Sequence, residues 1–419
     1  MTRILYSTLL FIICPFFLYG LFKSKQGKPS YNFRWKELFG ITMPTNGMNP
    51  LWIHAVSVGE VIAVTPLIRR IKTKYPELPI VVTTTTTTGA AQVEKLGALV
   101  EHRYMPLDFS FAVNSFLKAV QPSQLLIMET ELWPNTLHYV SRRKTPITIL
   151  NARLSQKSAN NYRKILPLFN IAASAVTRFL CQSTSDSQRF VELGVPSEKI
   201  HVTGSIKFDI SINNRCIEDA KQLREKLGQQ RKIWIAASTH QGEDEQVLNA
   251  HKRILDQFPD ALLILVPRHP ERFGSVHELC QQAGFSTVRR SCKTALTGST
   301  QVYLGDTMGE MMLLLGAADL CFMGGSLAGN KVGGHNIIEP MALGKYTLTG
   351  PSYFNFQAII DEFLTESLIS VVDDENELSD KLIKLFSQPE FVPTSSTIKQ
   401  AVEKQVGAID RTIQYLNLS

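Results

Sequence analysis

Short apolar runs alternate with amphipathic stretches along most of this chain. The runs are rich in aliphatic and β-branched residues, as buried strands are, and the stretches between them, such as 61–75 and 110–120, have helical spacing. The strands predicted in the first half are 51–56, 80–86, 125–128, 147–150 and 179–182. This alternation of strand and helix predicts a parallel sheet flanked by helices.

The same pattern restarts after a break at residues 209–216. Its predicted strands are 233–237, 262–266, 301–304, 320–323, 346–349 and 368–372. A chain of 419 residues also exceeds what one hydrophobic core usually supports. We therefore predict an α/β protein of two Rossmann-like, doubly wound domains, 25–209 and 210–419, that face one another across a cleft. Ligands would bind in that cleft, at the carboxyl ends of the strands.

The N-terminal segment is almost wholly apolar. Residues 4–22 carry no charge, Arg3 precedes them, and Lys23, Lys25 and Lys28 follow. Such a length can span a bilayer, and the positive residues after it place the globular body on the cytoplasmic side. A cleavable signal peptide is the alternative, but the small-residue cleavage pattern is missing. The sequence predicts an uncleaved membrane anchor over residues 1–24.

Composition narrows the class of protein further. With 44% hydrophobic and 19% charged residues the chain is globular, and its six cysteines show neither a Cys-x-x-Cys pair nor a metal-type spacing. Residues 23–209 carry 23 basic and 12 acidic side chains, whereas residues 210–419 carry 20 and 25. Beside the predicted anchor, a basic first half favours an anionic membrane or a phosphorylated substrate over nucleic acid.

A glycine-rich loop joins a predicted strand to a predicted helix over residues 324–339. The helix is expected to begin at Asn336, with Glu339 completing a capping box. Free backbone N–H groups and the helix dipole would then favour an anion. The alternative is a glycine-rich turn before a well-capped helix.

Acidic and basic residues also follow strands in the first domain. Glu60 stands where a strand passes into a helix, where the helix dipole alone explains a carboxylate and lowers its pKa. It could act as a general base only if burial opposed that effect. Glu129 and Glu131 are spaced so that only one would point inward on a continuing strand. Lys207 lies beside the linker, where a solvated lysine is the simpler interpretation.

Three loops of the second domain follow strands and suit a phosphate. One of them, residues 236–240, precedes an acidic helix that opens at Glu243. Arg268 and His269 follow one strand, and Thr307 with Glu310 forms a possible capping box before the apolar helix 311–317. No Asp-x-Asp signature and no Walker-type phosphate loop occurs. We therefore expect a nucleotide phosphate to be held by helix N-termini and cations, with no metal ion and no cofactor.

Taken in order, these residues resemble the 3-deoxy-D-manno-octulosonic acid (Kdo) transferases of lipopolysaccharide assembly, from the anchor almost to the C-terminus. The motifs that carry the resemblance are residues 54–60, 128–135, 207–209, 267–272 and 333–336. The resemblance implies an inverting, metal-independent glycosyltransferase of the GT-B fold. It would transfer Kdo from CMP-Kdo to the lipid A precursor (lipid IVA) at the cytoplasmic face of the inner membrane.

The resemblance also implies roles for individual residues. Glu60 matches the general base, and Glu131 and Lys207 match residues that support the transition state. The positions that match the CMP-binding loops are Arg268, His269, Gly309, Glu310, Met311, His335, Asn336, Ile337, Ile338 and Glu339, with Glu339 placed at the ribose. Ser205 departs from the usual asparagine, and Ile337-Ile338 departs from the usual Pro-Leu pair.

Two other functions fit parts of the same pattern. A two-domain fold of this type also serves glycosyltransferases and epimerases that use a UDP- or GDP-sugar. A membrane-tethered scaffold without catalysis would keep the fold, although it would be free to lose Glu60, Glu131 and Arg268.

Overall fold

A computed structural model describes residues 2–22, 31–210, 212–292 and 296–418. Its strands are β1 Leu51–His54, β2 Ile80–Thr84, β3 Glu101–Tyr104, β4 Gln124–Met128, β5 Ile147–Ala152, β6 Arg178–Cys181, β7 Ile200–Val202, β8 Ile233–Thr239, β9 Leu262–Pro267, β10 Thr287–Arg289, β11 Val302–Leu304, β12 Leu320–Met323, β13 Tyr346–Thr349 and β14 Ile369–Val371. Its α-helices are α1 Thr2–Phe22, α2 Val58–Lys74, α3 Thr87–Glu94, α4 Ser110–Val120, α5 Pro134–Arg142, α6 Gln156–Lys164, α7 Leu166–Ala175, α8 Thr184–Glu192, α9 Asn214–Leu227, α10 Asp244–Gln257, α11 Phe273–Gln282, α12 Met311–Ala317, α13 Ile338–Ala342, α14 Gln357–Thr365, α15 Glu375–Ser387, α16 Ser395–Gln405 and α17 Ala408–Tyr415. Short 3₁₀ segments cover Asn32–Phe39, Gly97–Leu99, Ser197–Lys199, Ile206–Phe208, Pro270–Arg272, Gly329–Lys331 and Pro389–Phe391.

The chain divides into two compact units. The first contains residues 1–209 and 405–419, and the second contains residues 210–404. The sheet of the first unit has the order β3-β2-β1-β4-β5-β6-β7, and every described pair in it is parallel. Helices cover both faces, and a separate apolar core lies on each face. The strand order reverses between β1 and β4, which is where a doubly wound sheet opens a crevice at its carboxyl edge.

The second unit repeats this plan. Its parallel sheet has the order β10-β11-β9-β8-β12-β13-β14, with the reversal between β8 and β12. The central strands β8 and β9 are almost wholly buried, in keeping with their continuous apolar sequences. The loops after β8 and β12 therefore meet at the carboxyl edge of this sheet.

Two doubly wound parallel-sheet domains are confirmed, and the differences lie at the sheet edges. Three strands were not predicted: β3, β7 and β10. Each has only three or four residues and is only partly buried. An edge strand of this kind mixes polar and apolar residues, so its sequence lacks the apolar run that marks the central strands.

The C-terminal segment belongs to a different unit from the one predicted. Residues 405–419 pack with the first unit, whereas the sequence assigned all of 210–419 to the second domain. Ile409, Ile413 and Leu416 of this segment join the core of the first unit. Asp209 accepts hydrogen bonds from the backbone N–H groups of Gly407 and Ile409, both at 2.5 Å, and so caps the beginning of α17.

The N-terminal segment forms α1, which rests on the first unit. The Asn135 side-chain amide donates to the Ser7 hydroxyl at 2.9 Å, and the Phe11 and Phe109 rings meet edge to face. Among the residues that the structure describes, no helix is both long enough and apolar enough to cross a membrane. The anchor predicted over residues 1–24 is therefore not supported, and Lys23, Lys25 and Lys28 lie outside the described residues.

Candidate active site

In the first unit, Glu60 lies at the reversal point of the sheet. Helix α2 begins at Val58, earlier than predicted, so Glu60 sits in its first turn. The Val56 backbone N–H donates to Glu60 Oε2 at 2.8 Å, and the Ser57 hydroxyl lies 3.4 Å from Oε1. Burial, followed by the charges of Glu129 and Glu131, nevertheless raises the pKa of Glu60 to about 7. Desolvation thus outweighs the hydrogen bonds that favour the carboxylate.

Two further carboxylates surround Glu60. Strand β4 ends at Met128, and Glu129 has a left-handed backbone with φ of 57°. The inward and outward alternation expected for a continuing strand therefore does not apply, and both Glu129 and Glu131 act electrostatically on Glu60. Burial and the neighbouring Glu129 charge also raise the pKa of Glu131. This edge of the sheet concentrates negative charge.

Lys207 is paired and largely buried. Its Nζ lies 3.3 Å from Glu129 Oε1, and the lysine and glutamate side chains are 21% and 32% exposed. The 3₁₀ turn Ile206–Phe208 that carries it is fixed by Asn151, whose Oδ1 accepts the Ile206 backbone N–H at 3.1 Å. The solvated linker lysine is therefore the wrong interpretation, because Lys207 offsets part of the negative charge beside Glu60.

In the second unit, the backbone N–H groups of the glycine-rich loop bind a carboxylate of the protein itself, that of Glu243. Buried Glu243 accepts the backbone N–H groups of Gly325, Ser326 and Leu327 at 2.7, 2.9 and 2.7 Å. It also accepts the His240 backbone N–H at 2.9 Å. The prediction of free amides over this part of 324–339 is wrong, because a side chain from the preceding loop satisfies them.

A cluster of three histidines follows strands β8, β9 and β12. His240 and His335 stack with ring centroids 5.0 Å apart and are hydrogen-bonded through their Nε2 atoms at 2.8 Å. His269 packs edge-on against His240 with centroids 5.2 Å apart. Burial and then the nearby His240 lower the pKa of His335 to about 3, so its ring is neutral near pH 7. A neutral imidazole can donate through one nitrogen and accept through the other.

Arg268 lies close enough to His335 and to Glu339 to act on both. Arg268 is exposed, and its charge lowers the pKa of His335 and opposes the burial that raises the pKa of Glu339. Helix α13 begins at Ile338, two residues later than predicted. Asn336 still accepts the Ile338 backbone N–H at 3.1 Å, but its side-chain amide lies 3.4 Å from Glu339 Oε1. The expected capping box is therefore replaced by a contact between two side chains.

The loop before α12 also differs from its prediction. Glu310 forms an ion pair with Arg290 at 2.8 Å and accepts the Thr307 hydroxyl, and it makes no side-chain cap to the helix. Gly309 has a φ of 82°, a backbone conformation that favours glycine. Ile337 and Ile338 are fully buried, so their side chains support the loop and only their backbone can reach a ligand.

Within the described part of the chain, no three histidine, cysteine or carboxylate side chains come together as a metal site would require.

Comparison with known proteins identifies the family. A family model described as 3-deoxy-D-manno-octulosonic-acid transferase (kdotransferase) matches residues 33–210. A Haemophilus influenzae protein named 3-deoxy-D-manno-octulosonic acid transferase is 43% identical over 364 residues, which cover 86% of this chain and 84% of that relative. The chain belongs to the Kdo transferase family. The resemblance found in the sequence motifs is thereby confirmed.

Other comparisons agree with this family and with the fold. A Bordetella pertussis Kdo transferase is 32% identical over 391 residues, covering 90% of this chain and 89% of the relative. Among solved structures, a UDP-GlcNAc 2-epimerase from Neisseria meningitidis, bound to UDP-GlcNAc, superposes with a TM-score of 0.54 and 12% identity. That match covers 87% of this chain and 100% of the epimerase. At this identity the likeness shows the two-domain fold alone.

The structure brings most of the residues that were singled out from the sequence together in two groups, one in each unit. It brings Glu60, Glu131 and Lys207 together in the first unit, and Arg268 with the histidine cluster in the second. Sequence reasoning missed Glu243, which was noted only as a helix start, and the pairing of Glu129 with Lys207. A carboxylate three residues after His240 was the available signal, but nothing local points to a loop more than eighty residues away.

Proposed function

We propose that this protein transfers Kdo from CMP-Kdo to the lipid A precursor as an inverting glycosyltransferase of the GT-B type, without a metal ion. The family membership supports the reaction class. The observation that carries the proposal in the structure is Glu60, a partly buried carboxylate with a pKa of about 7 at the carboxyl edge of the first sheet.

Glu60 is the proposed general base. Its carboxylate would accept the proton of the acceptor sugar hydroxyl while that oxygen attacks the anomeric carbon of Kdo. A pKa near 7 suits this task, because the group is substantially ionised at neutral pH and still basic enough to hold the proton. Glu131 would accept a hydrogen bond from the reacting sugars, and Lys207 would limit the build-up of negative charge.

The second unit is the proposed CMP-binding unit. Arg268 and His269 are exposed cations or donors for the phosphate, and neutral His335 can donate to the same group. Glu339 would accept hydrogen bonds from the ribose hydroxyls, beside Asn336. The loop at Gly309, Glu310 and Met311 would border the base, with Glu310 held by Arg290. Fixed dipoles and cations would stabilise the leaving cytidylate.

We further propose that the enzyme works at the cytoplasmic face of the inner membrane, because its proposed acceptor is a membrane lipid. Ile4, Leu5 and Phe11 of α1 expose 69%, 71% and 70% of their surface. Apolar side chains exposed along one helix favour contact with a bilayer. Flotation with vesicles of anionic lipid tests this part, and a protein that remains at the bottom of the gradient contradicts it.

The direct test is a transfer assay. Purified protein is incubated with a CMP-Kdo supply and lipid IVA, and the lipid is then weighed by mass spectrometry. We expect a mass increase of one or more Kdo residues and release of CMP. A lipid of unchanged mass, or protection against heat unfolding by UDP or GDP and not by CMP, would overturn the proposed reaction.

A further inference from the structure

The second unit contains a buried carboxylate that the proposed chemistry does not use. Glu243 lies at the N-terminus of α10 with no exposed surface. Its Oε1 accepts the N–H groups of Ser326 and Leu327, and its Oε2 accepts those of His240 and Gly325. All the donors are backbone groups on the two loops that meet at the reversal point of the sheet.

These hydrogen bonds hold the loop after β8 and the loop after β12 together. The Gly334 N–H donates to the Gly325 carbonyl at 2.8 Å, which brings His335 back over the first loop. There the His335 ring stacks on His240 and shares a hydrogen bond with it at 2.8 Å. The position of His335 relative to Arg268 therefore depends on the contacts that hold the residue 325–327 backbone.

We propose that Glu243 is a positioning residue for the donor site: its carboxylate occupies the amide pocket of the glycine-rich loop and so fixes His335 and Asn336 for the nucleotide. This inference rests on the proposed function, since it assumes that the second unit binds CMP. The donor phosphate, by contrast, does not enter the pocket formed by the 325–327 amides, because those amides already have their acceptor.

The chemistry of the side chain makes the test specific. A carboxylate accepts at both oxygens, whereas glutamine would present an NH₂ group to one of the two pairs of N–H donors. Glu243→Gln keeps the shape and leaves two buried N–H groups without an acceptor. Glu245→Gln, on an exposed residue of the same helix turn, removes the same charge without touching the loop and serves as the control.

We expect Glu243→Gln to weaken CMP binding, measured by calorimetry on the full chain, by roughly tenfold or more, the cost of losing buried bonds to a charged acceptor. Glu245→Gln should change it less than about twofold. Hydrogen exchange of the residue 325–327 amides should accelerate in Glu243→Gln only. Wild-type affinity in Glu243→Gln, together with faster exchange of those amides, would show a structural role alone and overturn the proposal.

A measurement on the wild type decides the matter if the variant does not fold. The 325–327 amides should be protected from exchange without nucleotide, and added CMP should leave that protection unchanged. Fast exchange without CMP, or slowing caused by CMP, would place the nucleotide in the amide pocket and contradict the role of Glu243. If the wild type binds UDP and not CMP, the proposed function is wrong. The role of Glu243 can then still be tested by comparing exchange of the 325–327 amides with and without UDP.

Discussion

At the scale of single residues, the surroundings of Glu60 raise the pKa of a carboxylate that the helix N-terminus alone would keep ionised. The helix dipole and the Val56 N–H favour the charged form, yet burial and the neighbouring Glu129 and Glu131 charges raise the pKa to about 7. The sequence located Glu60 at the end of a strand, but it did not reveal this balance. Burial and the distance between charges are properties of the folded chain.

Glu60→Gln should abolish the proton acceptor while keeping the shape of the side chain. We expect kcat to fall by about 10²–10⁴-fold, the usual contribution of a general base, with little change in CMP affinity. Steady-state kinetics and calorimetry measure the two quantities. Glu77→Gln, on an exposed loop of the same unit, is the control. Near-normal turnover in Glu60→Gln would exclude this residue as the base.

The pH dependence of the reaction follows from the same pKa. A base must be ionised to act, so kcat/KM should rise with pH and level off above about 7, where Glu60 has lost its proton. The measurement is a pH profile in buffers of constant ionic strength. An acid limb near pH 4.5, the ordinary value for glutamate, would mean that the acting carboxylate is not desolvated.

Lys207 should affect the position of the acid limb of that pH profile through its ion pair with Glu129. Removing the positive charge 3.3 Å from Glu129 leaves more negative charge near Glu60 and raises the pKa of Glu60 further. Lys207→Met should therefore move the acid limb to higher pH by roughly half a unit. Lys157→Met, which removes an exposed lysine of the same unit, provides the comparison. A profile that moves to lower pH would contradict this electrostatic coupling.

At the scale of elements, the loop between β12 and α13 depends on glycine at a position of close approach. Gly325 has a φ of 71°, and an added Cβ would lie 2.8 Å from the His335 ring. Gly329 also has a positive φ, of 68°, but an added Cβ there meets nothing within 4 Å. The two glycines therefore separate backbone strain from contact with the histidine.

Gly325→Ala should be destabilised both by backbone strain and by the close contact with the His335 ring. We expect it to lower the free energy of unfolding by roughly 2–4 kcal/mol, against about 1 kcal/mol for Gly329→Ala, where strain acts alone. Only Gly325→Ala should also weaken CMP binding, because it displaces His335. Urea unfolding and calorimetry measure these effects, and equal losses of stability in the two variants would show that the histidine contact has little weight.

The elements also show what local sequence can and cannot predict. Strands β12 and β13 and helices α4 and α12 have the predicted bounds, because each is a continuous apolar or strongly amphipathic run. Glu310 has the residue type of a helix cap, but its ion pair with Arg290, twenty residues earlier, gives it another role. The Arg290–Glu310 pair and the bonds of Glu243 join separate loops, and no local pattern predicts such contacts.

At the scale of the whole molecule, the chain passes from the first unit to the second at Asp209 and returns at residue 405. The Asp209 carboxylate bonds to the N–H groups of Gly407 and Ile409, and so ties the departing chain to the returning one. The sequence predicted the first crossing from its break in pattern. It missed the second because α16 and α17 follow one another as two similar amphipathic helices.

Asp209→Ala should loosen this junction. Loss of two bonds to a partly buried carboxylate should lower the free energy of unfolding of the first unit by roughly 1–3 kcal/mol. Asp410→Ala removes a neighbouring carboxylate whose pair with Arg70 is exposed to solvent and should contribute less than the Asp209 bonds do. Urea unfolding followed by circular dichroism compares the two. A larger loss in Asp410→Ala would mean that the junction is held in another way.

The return of α17 to the first unit has a consequence for biosynthesis. Ile409, Ile413 and Leu416 emerge from the ribosome after every strand of both sheets, yet they fill the core beneath β1 and β2. The part of the protein translated first therefore completes its packing last, whereas residues 210–404 are contiguous and can fold as soon as they are synthesised. During translation, the nascent N-terminal half should therefore expose an apolar groove until α17 has been synthesised. We expect chaperones that bind apolar segments to associate with it during that time.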